Sequence, residues 1–288
     1  MNILITGAGG QIARALLAGA TAGRNVTALS RQELDIGDQA AVDAAVRHYT
    51  PDVIINCAAY TAVDRAEKES DAAQRVNADG PRHLATAAGG HGARLLHIST
   101  DFVFDGQSSR PYTPDSPPRP LNVYGASKLA GEEAVLRLLP GRAVVLRTAW
   151  IYAAQGSNFL RTMLRLMEAN RAVRVVADQV GTPTASRSVA AILWRLVDAP
   201  DYSGIHHWTD DGVASWYDFA VAIAEEAIAR GMLPAGISVT PIVTQEYPTP
   251  ARRPAYSVLD KRSLASLGMT PAHWRTSLRA VLGELSHA

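Results

Sequence analysis

The chain has little of what marks secreted, membrane-spanning or nucleic-acid-binding proteins. Its 288 residues include one cysteine, Cys57, so no internal disulfide can form; a reducing compartment and a core thiol are expected. Charge of neither sign is in excess. The 28 basic and 27 acidic side chains leave no general field that would draw in nucleic acid or an anionic membrane. No run of about 18 apolar residues occurs, and the opening MNILITGAGG has neither a basic n-region nor an apolar signal core. A cytoplasmic protein with no nucleic-acid or membrane partner is expected. There is no internal repeat, and the only compositional bias is toward alanine.

What is present is a core-forming composition, 47% hydrophobic, in a chain long enough for one large domain or two modest ones. Short β-branched runs alternate with alanine-rich helical patterns through the first half. NILIT at Asn2–Thr6, NVTAL at Asn25–Leu29, DVIIN at Asp52–Asn56, ARLLHIS at Ala93–Ser99 and AVVLRT at Ala143–Thr148 read as five strands joined by crossover helices. That alternation predicts an α/β fold: a doubly wound parallel sheet covered on both faces. Beyond Trp150 the pattern changes to amphipathic helices (SNFLRTMLRLMEA, SWYDFAVAIAEEAIARG), two short strands (VRVV, ISVTPIV) and a proline-rich segment, QEYPTPARRPAYS. Residues 1–150 are therefore read mainly as one domain and 151–288 mainly as a smaller, partly interleaved C-terminal lobe.

The first strand runs directly into ITGAGGQIARAL, with a helix expected from about Gln11. Gly7 permits a tight turn, Gly10 lets backbone approach a pyrophosphate, and the helix N-terminus offers amides to the anion. The third position of the spacing is Ala13, small enough for close helix–strand packing. A glycine turn alone is a weak signal, but its place between an N-terminal strand and a helix points to a dinucleotide site of Rossmann type. After the second strand, where an acid would hold the adenine ribose of NAD, stand Ser30 and Arg31. Arginine accommodates a 2′-phosphate, so NADPH is the expected cofactor, with NADH possible. The competing reading of Arg31 is a solvated surface charge.

The stretch NVYGASKLAG places Tyr124 and Lys128 at i and i+4 on one face of a helix. Free tyrosine has a pKa near 10, so ionisation at neutrality needs a shift of about 3 units, roughly 4 kcal/mol; a neighbouring ammonium supplies part of this. Such a pair suits carbonyl reduction, in which hydride reaches the carbon while the phenol protonates the oxygen. Y-x-x-x-K is common by chance, and its position after a dinucleotide turn and four strands is what raises it. Ser99, Thr100 and Asp101 end the fourth strand, at the carboxyl edge where open parallel sheets bind ligands; the competing reading is that they only cap a turn. Gly106–Pro120, with five prolines, reads as a surface loop able to fold over a ligand.

MNILITGAGGQIA, PDVIINCAAYTAVDRAE, STDFVFDG, PLNVYGASKLAGE, RTAWIYA, NFLRTMLRL, DQVGTPT and YPTPARRPAYSVLD occur in this order along nearly the whole chain. Together they resemble the extended short-chain dehydrogenase/reductases and, within them, the dTDP-4-dehydrorhamnose reductase family. The resemblance implies NAD(P)H-dependent reduction of the 4-keto group of dTDP-4-dehydro-L-rhamnose. It also implies roles: Tyr124 as proton donor, Lys128 on the nicotinamide ribose and lowering the tyrosine pKa, and Thr100 tuning the tyrosine. Thr100 and Asp101 would meet the sugar, with Trp150 as a flat wall. Gly9, Gly10, Gln11 and Ile12 would line the pyrophosphate, Asp35 and Ile36 the adenine end, and Ala58, Ala59 and Tyr60 the middle of the cofactor. Departures are Ala13 for the third glycine, Phe102 for an aromatic that is usually tyrosine, and Ser30–Arg31 for the ribose acid. Some members bind magnesium at a dimer interface through a glutamate where this chain has Ala15, so no metal bridge is expected, and monomer and homodimer both stay open.

Arg252 and Arg253 in the tail segment are candidates to clamp the substrate pyrophosphate. His206 and His207 are adjacent in a strand, point to opposite faces and lack partners at ligand spacing, so they are read as structural. Two rival functions fit the same scaffold. A nucleotide-sugar dehydratase would need an Asp-Glu pair after the threonine, and here Phe102 follows Asp101. A non-catalytic regulatory subunit, similar to the beta subunit of methionine adenosyltransferase, would share the fold, but the intact Thr100, Tyr124 and Lys128 set favours an enzyme.

Overall fold

The computed structural model describes residues 1–21 and 23–286. The chain runs β1 (Asn2–Thr6), α1 (Gln11–Ala18), β2 (Asn25–Leu29), α2 (Gln39–Tyr49), β3 (Val53–Asn56), α3 (Val63–Ala66), α4 (Ser70–Gln74), α5 (Gly80–His91), β4 (Arg94–Thr100), α6 (Val123–Leu138) and β5 (Ala143–Thr148). It continues through β6 (Ile151–Tyr152), α7 (Phe159–Asn170), β7 (Ala172–Val176), β8 (Val180–Gly181), β9 (Thr184–Ala185), α8 (Ser186–Val197), β10 (Gly204–His207), β11 (Ala214–Ser215), α9 (Trp216–Ala229), β12 (Ser238–Ile242) and α10 (Trp274–Ser286).

Six strands form one parallel sheet in the order β10-β5-β4-β3-β1-β2. The strand order reverses between β1 and β3, the crevice where sheets of this kind bind ligands. Period-two alternation divides each strand between two cores. Ile3, Ile5, Val53, Ile55, Leu96, Val144 and Leu146 pack on α1 and α8 on one face. Leu4, Ile54, Leu95 and Val145 pack on α2, α5 and α6 on the other.

The five strands read from the first half are present, and the sixth comes from the second half of the chain. β10 pairs with β5, His207 opposite Arg147, so the C-terminal part completes the N-terminal sheet. Helix α8 likewise closes over α1, where the Trp194 indole donates to the Leu16 carbonyl at 3.2 Å. His206 and His207 lie in this strand as expected, their rings bonded to the carbonyls of Ser203 and Tyr112.

A separate core gathers α7, α9 and α10 around Tyr152, Phe219 and Trp274. The two short strands expected there, β7 and β12, pair with each other in parallel. Ser215 and Asp218 form a capping box that starts α9. Gly106–Pro120 is irregular, as expected, but it is pinned at its middle. Tyr112 is buried, stacks on Phe104 at 4.1 Å, and exchanges backbone hydrogen bonds with Val258 and Asp260. The one aromatic among its prolines turns a loop read as surface into a clamped strap. Among the described residues no helix is long and apolar enough to cross a membrane.

Candidate active site

At the sheet's crevice, Gly7 adopts φ +72°, and a Cβ there would stand 2.7 Å from the Ala58 nitrogen. Only glycine fits a turn this close to the end of β3. Gly10 precedes α1 without a side-chain cap, and the helix's first turn carries no acidic residue. Gly9 has nothing within 4 Å of where a Cβ would project, so the space before the helix stays open. An open cradle facing an uncapped helix N-terminus fits a dinucleotide diphosphate. Ala13 is fully buried where the third glycine was expected. Ile12 packs at the core's edge, and the Gln11 side chain accepts from Asn158 at 2.8 Å, tying the turn to α7.

Around the adenine end, Ser30 is half-buried with its amide on Glu33, and Arg31 is exposed. Asp35 takes an ion pair from Arg75 at 2.9 Å. Ile36 was expected to line the cofactor, but its side chain is 3% exposed and lies beneath Gly80 in the core, and its carbonyl is bonded to the His83 ring at 3.0 Å. Ala58, Ala59 and Tyr60 follow β3. Asn77 bonds both backbone groups of Tyr60 and the Ser127 hydroxyl, which fixes this segment against α6.

Helix α6 begins at an Asn122 cap whose side chain accepts from the Gly125 amide at 2.8 Å. A Cβ on Gly125 would lie 2.2 Å from the Phe102 carbonyl, and one on Gly131 2.1 Å from the Asn77 carbonyl. These two glycines let α6 lie directly on the turn after β4 and on the π-helical turn Arg75–Asp79. Tyr124 is thereby brought to Thr100, and its ring meets Phe102 edge to face at 5.6 Å. Burial pushes the phenol pKa up to about 12; a hydrogen bond with Thr100 opposes this and the Asp101 charge adds to it.

The expected lowering of the phenol by Lys128 is not what this geometry gives. The lysine is 2% exposed, donates from Nζ to the Ile98 carbonyl at 2.6 Å, and stands 3.3 Å from His97 Nε2. Burial lowers its pKa to about 8. Asp101 is also buried, its pKa pushed up to about 6 by desolvation, and its Oδ2 has no hydrogen-bond partner. A buried carboxyl with an unsatisfied oxygen beside a phenol is the kind of group that meets a polar ligand.

Trp150 holds a left-handed backbone, φ +50°, an uncommon conformation for a bulky residue. Its ring stacks on Trp216 at 3.5 Å and 3°, and Gly181 leaves room for it: a Cβ there would be 2.7 Å away. Arg253, expected on a substrate pyrophosphate, instead grips Asp64 of α3 at 2.8 and 3.0 Å. The neighbouring Arg252 is exposed on the groove that Asp178, Gln179, Thr244 and Tyr247 also line, while its carbonyl accepts from Asn122 at 2.7 Å. Among the described residues no group of three or more His, Cys, Asp or Glu is arranged to hold a metal ion.

The model of the RmlD substrate binding domain matches residues 1–287. The chain belongs to that family. Two similar relatives are the spore coat polysaccharide biosynthesis protein SpsK of Bacillus subtilis and the dTDP-4-dehydrorhamnose reductase of Aggregatibacter actinomycetemcomitans. SpsK is 43% identical, the alignment covering 100% of this chain and 99% of SpsK. The second is 42% identical, covering 97% and 98%. A crystal structure of dTDP-4-dehydrorhamnose reductase from Bacillus anthracis in complex with NADP superposes with a TM-score of 0.92 at 35% identity, covering 98% of this chain and 99% of that one.

Three residues of this RmlD-family chain reached the site unforeseen. His97 alternates to the α6 face of β4 next to Lys128. Trp216 stands in the sequence only as part of the helical stretch SWYDFAVAIAEEAIARG, and no motif singles out Arg75. Strand alternation was a signal for His97; nothing local paired Trp216 with Trp150 or Arg75 with Asp35, residues 66 and 40 positions away in sequence.

Proposed function

We propose that the protein reduces the 4-keto group of dTDP-4-dehydro-L-rhamnose to dTDP-L-rhamnose with NADPH, a step in making cell-surface polysaccharide. The observation that carries the reading is the meeting of Tyr124 with Thr100 and Asp101 at the carboxyl edge of β4, beside an open glycine cradle, in a chain whose full-length relatives include reductases of this name. NADPH, when bound, supplies the hydride.

The chain's own residues do the rest. Tyr124, protonated at rest because burial holds its pKa high, gives its phenolic proton to the oxygen of the reduced carbonyl. Thr100 orients that phenol through its hydrogen bond. Asp101, with an unsatisfied buried oxygen, accepts from a sugar hydroxyl, and Trp150, fixed by Trp216, supplies the flat apolar wall. Gly7, Gly9, Gly10, Gln11 and Ile12 receive the diphosphate, and the exposed Arg31 takes the 2′-phosphate with Ser30. Arg252, exposed on the groove, is the candidate for a substrate phosphate, and Arg253 holds the tail segment on α3.

Incubation with NADPH and dTDP-4-dehydro-L-rhamnose is expected to consume cofactor and sugar in equal amounts, with dTDP-L-rhamnose as product. A folded protein that binds NADPH but leaves this sugar unchanged would overturn the reading.

A further inference from the structure

Beneath Tyr124 lies a row of buried polar groups whose hydrogen-bond directions fix one another. The Ala58 amide can only donate, and it points at Asn56 Oδ1 at 3.1 Å; the Thr6 hydroxyl meets the same oxygen at 2.7 Å. Asn56 is therefore oriented with its NH2 toward His97 Nδ1, 3.0 Å away. An amide NH2 only donates, so Nδ1 must present a lone pair. The single hydrogen of a neutral imidazole then sits on Nε2, which faces Lys128 Nζ at 3.3 Å. An imidazolium is excluded by the same geometry, since it would turn an N–H toward the Asn56 NH2. An ammonium has no lone pair to receive the Nε2 hydrogen, whereas an amine has one, and two hydrogens besides.

We propose that the hydrogen bonding in this structure is that of Lys128 as a neutral amine, accepting from His97 Nε2–H while donating to the Ile98 carbonyl, and that His97 is the positioning residue that favours this form over the ammonium. The inference rests on the reading of Tyr124 and Lys128 as the reducing pair and deepens it. A neutral amine cannot lend charge to a phenolate until it binds a proton, so electrostatic support for Tyr124 switches on as Lys128 is protonated.

The other groups around Lys128 are consistent with this state. His97 and the Ile98 carbonyl face it from β4, Cys57 from the end of β3, and Glu132 from the next turn of α6. The two that would favour an ammonium are spent or neutral: Glu132 is bound by Arg147 and Ser99, and burial pushes the Cys57 thiol up. Nothing on the described residues forms an ion pair with Lys128. The competing arrangement turns the Asn56 amide over, directs its NH2 at the Ala58 N–H, and admits a charged lysine.

The chain has only three lysines, Lys68, Lys128 and Lys261, so lysine labelled with 13C at Cε gives three resonances, assignable with Lys68→Arg and Lys261→Arg. On titration, the Lys128 resonance is expected to move with a midpoint near 8. His97→Gln, which can turn a carbonyl oxygen toward Nζ, should raise that midpoint by about one unit or more, and shift the alkaline limb of kcat/KM with it. Asn56→Asp, which draws the ring hydrogen to Nδ1, should raise it likewise and serves if the glutamine variant does not fold. A Lys128 resonance that stays in its ammonium position through pH 10 would overturn the proposal in favour of the turned amide. A midpoint near 8 that neither substitution moves would remove His97 from it. The resonance reports lysine whether or not a keto sugar is turned over, so failure of the reductase reading and failure of this one are distinguishable.

Discussion

Lys128 and Glu132 stand one turn apart on the same face of α6, both almost wholly buried and both directed at the central sheet, yet their surroundings are opposite. Glu132 is saturated. Arg147 of β5 reaches both its oxygens, at 2.6 Å at the closest, Ser99 donates to it, and the guanidinium also donates to the Pro114 carbonyl and lies over the Phe104 ring at 5.1 Å. Lys128 has a carbonyl and an imidazole and no countercharge. The difference separates structure from chemistry on one helix: a charge whose every lone pair is satisfied holds elements together, whereas one left without a partner keeps a protonation state that can change.

The largest effect should come from breaking the saturated pair. Glu132→Ala leaves a buried guanidinium uncompensated and is expected to cost about 3–5 kcal/mol of stability, measured by denaturant unfolding, with Glu132→Gln milder. A loss below about 1 kcal/mol would mean that the pair is not sealed from water. The unpaired lysine should behave in the reverse way. Its pKa is lowered from 10.5 to about 8 in the folded chain, so between those values the unfolded chain holds a proton that the native chain lacks, and stability rises with pH across that window. Lys128→Met should flatten this rise while abolishing most turnover. Equal slopes in the two proteins would place the lysine's titration elsewhere.

The same contrast explains what the sequence could and could not reveal. The sheet, the glycine turn and the Tyr124–Lys128 spacing were legible because each depends on local period or on a backbone conformation only glycine adopts. The extended run around His206 and His207 was legible as a strand, but not its place as the sixth strand of the central sheet, which depends on the edge that β5 offers. Lys128 was visible as a residue; its state was not, because that depends on Asn56 and His97, brought to it by sheet register. Arg253 was legible as a cation in a loop, but only folding gives it Asp64. Residues chosen by spacing survive folding, whereas hydrogen-bond partners are assigned by it.

The most direct test of the central claim compares wild type with Tyr124→Phe in a single turnover of NADPH with dTDP-4-dehydro-L-rhamnose. The phenol's role as general acid predicts a loss of about 10²- to 10⁴-fold in the rate of reduction, with NADPH binding and unfolding midpoint unchanged. Reduction at the wild-type rate by the phenylalanine variant would contradict the assignment of Tyr124 as the proton donor.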